Sequence, residues 1–578
     1  MNIIIAKTAG FCMGVRRAVE MVLDASNKSE DPICTYGPLI HNPQVLGLLE
    51  EKGICAINEI PDKGHGTILI RAHGVPPDAK KCLEEAGFSV KDATCPRVIK
   101  VQTIIKKHSE KGYAVIIIGD NDHPEVIGLL GFAGENGYIV DNIEKLESLP
   151  KFEKAIIVAQ TTQNTLFFEE VKKWVIENRP EYKIFNTICD STAKRQAEII
   201  SIAESADTLI VVGGKNSGNT QRLAEMAGNT GKPTFHIENA SELSEETISN
   251  ARSIGITAGA STPNWVMKKV YQKLETFPAK RKLNWRKLLF AIQQPLLLTN
   301  IYVAIGAGSL SYACSRLQGI NYNFSHILIA MLYILSMHTI NNITAGKSHH
   351  YNDPERADFY SRNGLFLVAM AIVAGIASLI TSYSLGKIPF LIFLTMYVLG
   401  LLYNMKLFPK GFFKFRYQSL NEIPGSKTIL VAVAWGVVTT VFPAFSESGQ
   451  TNYLSTALVF IWATGIVFVR TAFFDILDMQ GDRIVGKETI PIFLGEKTTK
   501  LLLKIILSIL LIIMISASAL NLVSSLGFAL GLYPVFMFIV FSAYEKGYVH
   551  HGFMLELLIE THLVLAGVIT LIWSASWP

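Results

Sequence analysis

Hydrophobic and polar positions follow two different rhythms along the chain. Through residue 287, apolar runs of strand length (2–6, 67–71, 114–119, 155–159, 208–213 and 253–257) alternate with stretches of helical spacing, such as 15–26, 76–86, 97–111 and 165–179. Strands alternating with helices at this pitch predict parallel sheets covered on both faces, with functional loops at the carboxyl ends of the strands. From residue 288 onward the rhythm changes to long apolar runs split by short polar loops. About nine of them approach the ~20 residues that a bilayer core requires. They centre near Ala304, Ile329, Ala371, Leu394, Val433, Ile461, Leu510, Phe536 and Val568.

The expected organisation is a soluble α/β domain over 1–279, a basic linker over 280–287 and an all-α polytopic membrane domain over 288–578. Composition agrees, since 49% hydrophobic and 17% charged residues over 578 positions describe neither a purely soluble enzyme nor a disordered chain. The formal charge of +5 is small and dispersed, which gives no basis for nucleic-acid binding. Basic residues do set an orientation. If the first domain is cytoplasmic, loops on that side carry a dozen lysines and arginines, among them Arg356, Lys427 and Lys487, while the far side carries only Arg316 and Lys387. The opening apolar run is too short for a signal peptide. Seven cysteines, odd in number and with no CxxC pair, are expected to be reduced thiols of a cytosolic domain.

Three of those cysteines stand in special settings. Thr8-Ala9-Gly10-Phe11-Cys12-Met13-Gly14, Ala93-Thr94-Cys95-Pro96 and Thr187-Ile188-Cys189-Asp190 each follow an extended run and open a helical one, at similar intervals. The intervals fit three comparable α/β units, each giving one cysteine to a common centre, although the units share little sequence. Glycines beside Cys12 permit close backbone approach, and helix-opening amides stabilise a thiolate. Three thiolates on a cubane iron–sulfur cluster would leave one iron without a protein ligand, a place for a substrate oxygen. For any one cysteine, burial as a small hydrophobe competes with this reading. His41, His73 and His123 all sit in turn-like loops after strands, which favours a convergent polar pocket. Protonated imidazoles there would suit a diphosphate. Gly213-Gly214-Lys215-Asn216-Ser217-Gly218-Asn219-Thr220 adds a glycine-rich loop before a helix, a common phosphate seat.

In combination, GFCMGV, GPLIHNP, RAHGV, ATCPRV, HPEV, QTT, KNSGNT and TAGAST resemble the 4-hydroxy-3-methylbut-2-enyl diphosphate reductases of the non-mevalonate isoprenoid pathway, over about residues 1–277. The resemblance implies a pseudo-symmetric three-unit fold around a [4Fe-4S] cluster on Cys12, Cys95 and Cys189. It implies that His41, His73, His123, Ser217, Asn219 and Ser261 bind the diphosphate, and that Glu125 and Thr161 hold the substrate hydroxyl and relay protons. Many members carry a second serine where Gly218 stands, so a backbone amide replaces one hydroxyl contact here. The implied reaction is reductive dehydroxylation of the allylic diphosphate, with electrons from a ferredoxin or flavodoxin and Glu125 as the acid. A carboxyl in a closed, partly desolvated pocket can stay protonated near neutral pH. The products are isopentenyl and dimethylallyl diphosphates. The alternative is an iron–sulfur redox-sensing module on a catalytically decayed membrane anchor, but a sensor needs neither Glu125 nor the histidines.

In the second half, Asp475, Asp478 and Asp482 fall at i, i+3 and i+7, so a helix presents all three on one face. Three crowded carboxylates call for a cation, and Mg²⁺ bridging a diphosphate is the apt one. This half resembles the UbiA-like intramembrane prenyltransferases over roughly 288–575, through that run, Lys487-Glu488-Thr489-Ile490-Pro491, and Asn421-Glu422-Ile423-Pro424-Gly425. The family's upstream NDxxDxxxD run reads Asn341-Asn342-Ile343-Thr344-Ala345-Gly346-Lys347-Ser348-His349 here, without an aspartate. Asn341, Asn342, Asp353, Glu355 and Asp358 are the remaining oxygen donors. The resemblance implies prenyl transfer to a lipid-soluble acceptor in the membrane.

Overall fold

The computed structural model describes residues 2–28, 31–244, 248, 251–277, 285–344, 351–403, 423–446, 452–549 and 552–576. Residues 280–284 of the expected linker, the register Ala345 to His349, and Asn421 and Glu422 lie outside the described residues. The chain divides into two compact units, Met1–Lys280 and Arg281–Pro578.

Among its described residues the first unit contains twelve strands: β1 (Asn2–Ile5), β2 (Ile33–Tyr36), β3 (Cys55–Ile57), β4 (Thr67–Ile70), β5 (Ser89–Asp92), β6 (Ala114–Ile118), β7 (Gly137–Val140), β8 (Ala155–Ala159), β9 (Lys183–Ile184), β10 (Thr208–Val212), β11 (Thr234–Ile237) and β12 (Ser253–Ala258). They form three four-stranded sheets, ordered β3-β2-β4-β5, β7-β6-β8-β9 and β11-β10-β12-β1, and every pairing is parallel. Each sheet has the order second-first-third-fourth, so one topology occurs three times. In the last sheet the fourth place is taken by β1, the first strand of the chain. β6, β8 and β10 are buried along their whole length, as apolar strands covered on both faces must be.

The repeat extends to hydrogen bonds. After each first strand, a glycine amide donates to the end of the second strand: Gly37 to Ile57, Gly119 to Val140 and Gly213 to Ile237. After each fourth strand comes one of the three singled-out cysteines. Its amide donates to a carbonyl just past the third strand: Cys12 to Ala260 at 3.1 Å, Cys95 to Ala72 at 2.9 Å and Cys189 to Thr161 at 2.9 Å. One expectation is corrected here. Cys34 and Cys55 stand opposite each other across β2 and β3 and are joined as a disulfide, so not every thiol is reduced.

The second unit is helical. Among the described residues seven helices are long and apolar enough to cross a membrane: Phe324–Thr344, Pro354–Ser384, Ser426–Ser446, Tyr453–Val485, Glu496–Ala519, Leu526–Glu545 and Phe553–Ser576. An eighth span exists if Ile292–Leu298 and Ile301–Leu317, bent by 78°, count as one. All nine expected stretches are helical, and seven or eight of them pass as spans among the described residues. The stretch around Leu394 is helical but, as Lys387–Leu402, is 16 residues long. The unit's core joins Trp435, Trp462, Phe393, Phe442, Phe473 and Phe541, while Leu365, Val373, Ile380, Ile512, Leu532 and Ile572 face outward. Arg470 and Glu560, both buried, pair across Tyr453–Val485 and Phe553–Ser576, with Arg470 Nε donating to Glu560 Oε2 at 2.9 Å.

Candidate active site

In a sheet of order second-first-third-fourth, chain direction switches between the first and third strands, and ligands collect outside their carboxyl ends. The singled-out residues sit there. His41 follows β2, His123 and Glu125 follow β6, and Ser217, Gly218 and Asn219 follow β10, each a first strand. His73 follows β4, Thr161 follows β8 and Ser261 follows β12, each a third strand. All nine, with Cys12, Cys95 and Cys189, line one cavity of about 720 Å³ of empty space, measured to its open mouth.

The cysteines occupy helix starts. Cys95 and Cys189 are the N-caps of Pro96–Ser109 and Asp190–Ser205, and Cys12 precedes Met13–Lys28, where its Sγ accepts the Val15 amide at 3.4 Å. Burial pushes the Cys95 thiol up, against the amides of Arg97 and Val98, and the neighbouring Cys12 and Cys189 push it further. A β-carbon on Gly14 would lie 2.4 Å from Cys95 Sγ, so only glycine leaves that sulfur its place. Arg195 gives the sulfurs a buried positive neighbour, facing Cys12 and Cys189 while donating to Gly10 O at 2.6 Å and Ala258 O at 2.9 Å. Soft thiols at three helix openings, with a cation behind them, fit an anionic iron–sulfur cluster.

The imidazoles converge, with ring centroids 4.9 to 6.0 Å apart. Their protonation differs from the expectation. Burial, reinforced by mutual proximity and Arg71, lowers His41, holds His73 well below the usual range and brings His123 down to about 4. The histidines are therefore neutral in the free protein at pH 7. Their ligand atoms lie within 4.8 Å of one another. His123 Nδ1 accepts the Glu125 amide at 3.1 Å, so in the neutral ring Nε2 carries the hydrogen. That tautomer offers a donor to an anion rather than a lone pair to a metal. His73 Nδ1 and Asn219 Nδ2 are buried without a partner. Ser261 Oγ donates to His41 O at 3.1 Å and lies 3.4 Å from Ser217 Oγ, which joins the anion loop to the histidine loop.

Glu125 is 1% exposed. Its oxygens accept from the Thr161 amide at 2.6 Å and the Thr161 hydroxyl at 2.8 Å. Burial nevertheless outweighs those bonds and raises the carboxyl to about 7. Residues that sequence reasoning passed over surround this pair. Gln160 accepts the Asp120 amide, and Arg222 grips Asp120. Charged residues inside a helix or loop read as solvated, and only the fold shows what they face.

In the second unit, Asp475, Asp478 and Asp482 lie on Tyr453–Val485, with Asp475 and Asp482 buried. Asp475 accepts from Thr428, Asp482 accepts from Asn352 at 2.9 Å, and Lys427 and Lys487 face all three carboxylates. The upstream substitutes are engaged elsewhere. Asn342 donates to Asn300 and Tyr360, Asp353 caps Pro354–Ser384 and pairs with Arg356, Glu355 bonds Gln294, and Asp358 lies 4.0 Å from Arg362.

Residues 3–275 match the family model described as LytB protein, and residues 301–548 match that of the UbiA prenyltransferase family. A 4-hydroxy-3-methylbut-2-enyl diphosphate reductase of Geobacter sulfurreducens is 42% identical over 282 residues, covering 49% of this chain and 100% of its own. The solved E-1-hydroxy-2-methyl-but-2-enyl-4-diphosphate reductase of Plasmodium falciparum shares 26% identity at a TM-score of 0.47, over 51% of this chain and 99% of its own. A UbiA homolog from Archaeoglobus fulgidus, solved with GPP and Mg²⁺, shares 16% identity at a TM-score of 0.37, over 48% of this chain and 97% of its own. By its identity to a relative that it covers in full, the chain belongs to the 4-hydroxy-3-methylbut-2-enyl diphosphate reductase family, with a UbiA prenyltransferase-family unit joined to it.

Proposed function

We propose that the first unit removes the hydroxyl of 4-hydroxy-3-methylbut-2-enyl diphosphate, taking up two electrons and two protons and releasing water with isopentenyl and dimethylallyl diphosphates. The observation that carries this reading is Glu125: a buried carboxyl raised to about 7, fixed at both oxygens by Thr161, in the cavity that three thiols and three imidazoles share. His41, His73 and His123 receive the diphosphate with Ser217, Asn219, Ser261 and the Gly218 amide. Neutral imidazoles serve as N–H donors, and the arriving phosphate charge favours their protonation. Closure around the diphosphate keeps water from Glu125, which gives its proton to the departing hydroxyl oxygen. A [4Fe-4S] cluster on Cys12, Cys95 and Cys189 would supply the electrons, drawn from a ferredoxin or flavodoxin, and a Lewis-acidic iron. The full chain, purified without oxygen, should be brown and consume the substrate with a reduced viologen dye. A colourless preparation, or undiminished substrate, would overturn the reading.

For the second unit we propose a multi-pass membrane domain that binds a prenyl diphosphate through Mg²⁺ at Asp475, Asp478 and Asp482 and passes the prenyl group to a lipid-soluble acceptor. Basic loop residues support placing the reductase in the cytoplasm. With Asp353 and Glu355 engaged elsewhere, binding is better supported than fast ionisation of the diphosphate.

A further inference from the structure

Arg222 lies one turn after Gly218 on the helix Gly218–Gly228, which opens at the anion loop. Its side chain is only 11% exposed. Nη2 donates to both carboxylate oxygens of Asp120, each at 2.7 Å, and Nη1 donates to Thr162 O at 3.2 Å and Thr162 Oγ1 at 3.4 Å. Asp120 follows β6 and its carbonyl accepts the amide of His123, so it leads into the loop of His123 and Glu125. Thr162 follows β8 and is the next residue after Thr161, the partner of Glu125. Gln160 closes the arrangement, accepting the Asp120 amide at 3.1 Å and donating to Thr162 Oγ1 at 3.0 Å. One side chain thus ties the β10 sheet to two loops of the β6–β8 sheet. Neither Arg222 nor Asp120 lines the cavity.

We propose that Arg222, held by Asp120, is a positioning residue that sets the proton-donating Glu125–Thr161 pair against the diphosphate held at Ser217, Gly218 and Asn219. The inference rests on the reductase reading above. A diphosphate seated at the anion loop leaves its hydroxyl end to reach Glu125, and an error of about 1 Å in that reach costs on the order of 100-fold in rate. The guanidinium resists such drift because its planar fork holds Asp120 on Nη2 and Thr162 on Nη1 at a fixed separation. Arg222 and Asp120 also act on Glu125 through charge, with opposite signs, the arginine lowering its pKa and the aspartate raising it. Thr161 bonds the Glu125 carboxyl, and His123, whose ring accepts the Glu125 backbone amide, is neutral.

The test uses the full chain, loaded anaerobically, in four forms: wild type, Arg222→Met, Arg222→Lys and Asp120→Asn. Arg222→Met should keep its iron and bind inorganic pyrophosphate, measured as a competitive inhibitor, within about 3-fold of wild type, while kcat falls about 30-fold or more. The alkaline limb of kcat/KM should move upward in Arg222→Met and downward in Asp120→Asn, and Arg222→Lys should restore the limb but only part of kcat, because one ammonium cannot span Asp120 and Thr162 as the two guanidinium nitrogens do. Equal losses of kcat and of pyrophosphate affinity with an unmoved limb would reduce Arg222 to a structural tie and overturn the proposal. Wild-type protein that holds iron yet leaves the substrate untouched would instead defeat the reductase reading.

Discussion

In the proposed reaction Glu125 serves as an acid only while protonated, so with its carboxyl raised to about 7 the turnover should fall as pH rises through that value. Glu125→Gln keeps the side chain's volume and bonds but has no proton to give. It should retain iron and lose about 100-fold or more of kcat, together with that alkaline limb. Two glycines of the pocket separate in the same way. Gly14→Ala would drive a methyl into Cys95 Sγ and should lose iron on purification, whereas a β-carbon at Gly218 meets nothing closer than 3.6 Å, so Gly218→Ser should be accepted with full iron content. At this scale the motif residues were legible, because each stands in a short, distinctive run. The charge of the histidines was not, since it depends on three rings from three loops meeting in a dry space. Arg195, Arg222 and Asp120 gave no signal, because each acts on a partner far away in sequence.

The strands that pattern revealed are mostly apolar and buried: β4, β6, β8 and β10 carry continuous hydrophobic runs, and β12 spaces its isoleucines with small residues. Strands such as β5 (Ser-Val-Lys-Asp) and β9 (Lys-Ile) are too short and polar to stand out, and they form because a neighbouring strand offers its edge. The Cys34–Cys55 bond depends on the register of β2 against β3, which no spacing in the sequence reveals. The three fourth-strand loops define separate tests. Serine at Cys12, Cys95 or Cys189 should each strip iron and activity, since oxygen is a poorer cluster ligand than sulfur. Serine at Cys82 or Cys314, which lie outside the cavity, should leave iron content unchanged. Metal analysis of purified variants decides both.

Across the second unit, a buried ion pair joins two spans where unpaired charge is least tolerated. Glu560→Leu alone strands the Arg470 guanidinium and should destabilise the unit by about 3–5 kcal/mol, whereas the double variant with Arg470→Met should recover most of that loss. Thermal unfolding in detergent distinguishes the two. The acidic helix supplies another measurement. Full-length protein should bind a non-hydrolysable prenyl diphosphate more tightly with Mg²⁺ than with EDTA, and Asp478→Asn should erase the difference. Equal affinity in all conditions would leave the unit as an anchor. Both halves of the chain were legible from hydrophobic rhythm alone, but the 78° bend between Ile292–Leu298 and Ile301–Leu317 was not, because run length does not disclose where a helix bends.

The placing of β1 at the fourth position of the last sheet has a consequence in time. A ribosome releases the β2–β5 and β6–β9 segments as complete sheets in the order of their synthesis, but the strand made first must wait until β12 has emerged. Closing so long a loop costs only slightly more than closing a short one, since the entropy grows with the logarithm of length. The delay is one of sequence order rather than of energy. Of the three cysteines, the one translated earliest is thus the last to reach its station, and assembly of the proposed cluster would follow the emergence of β12.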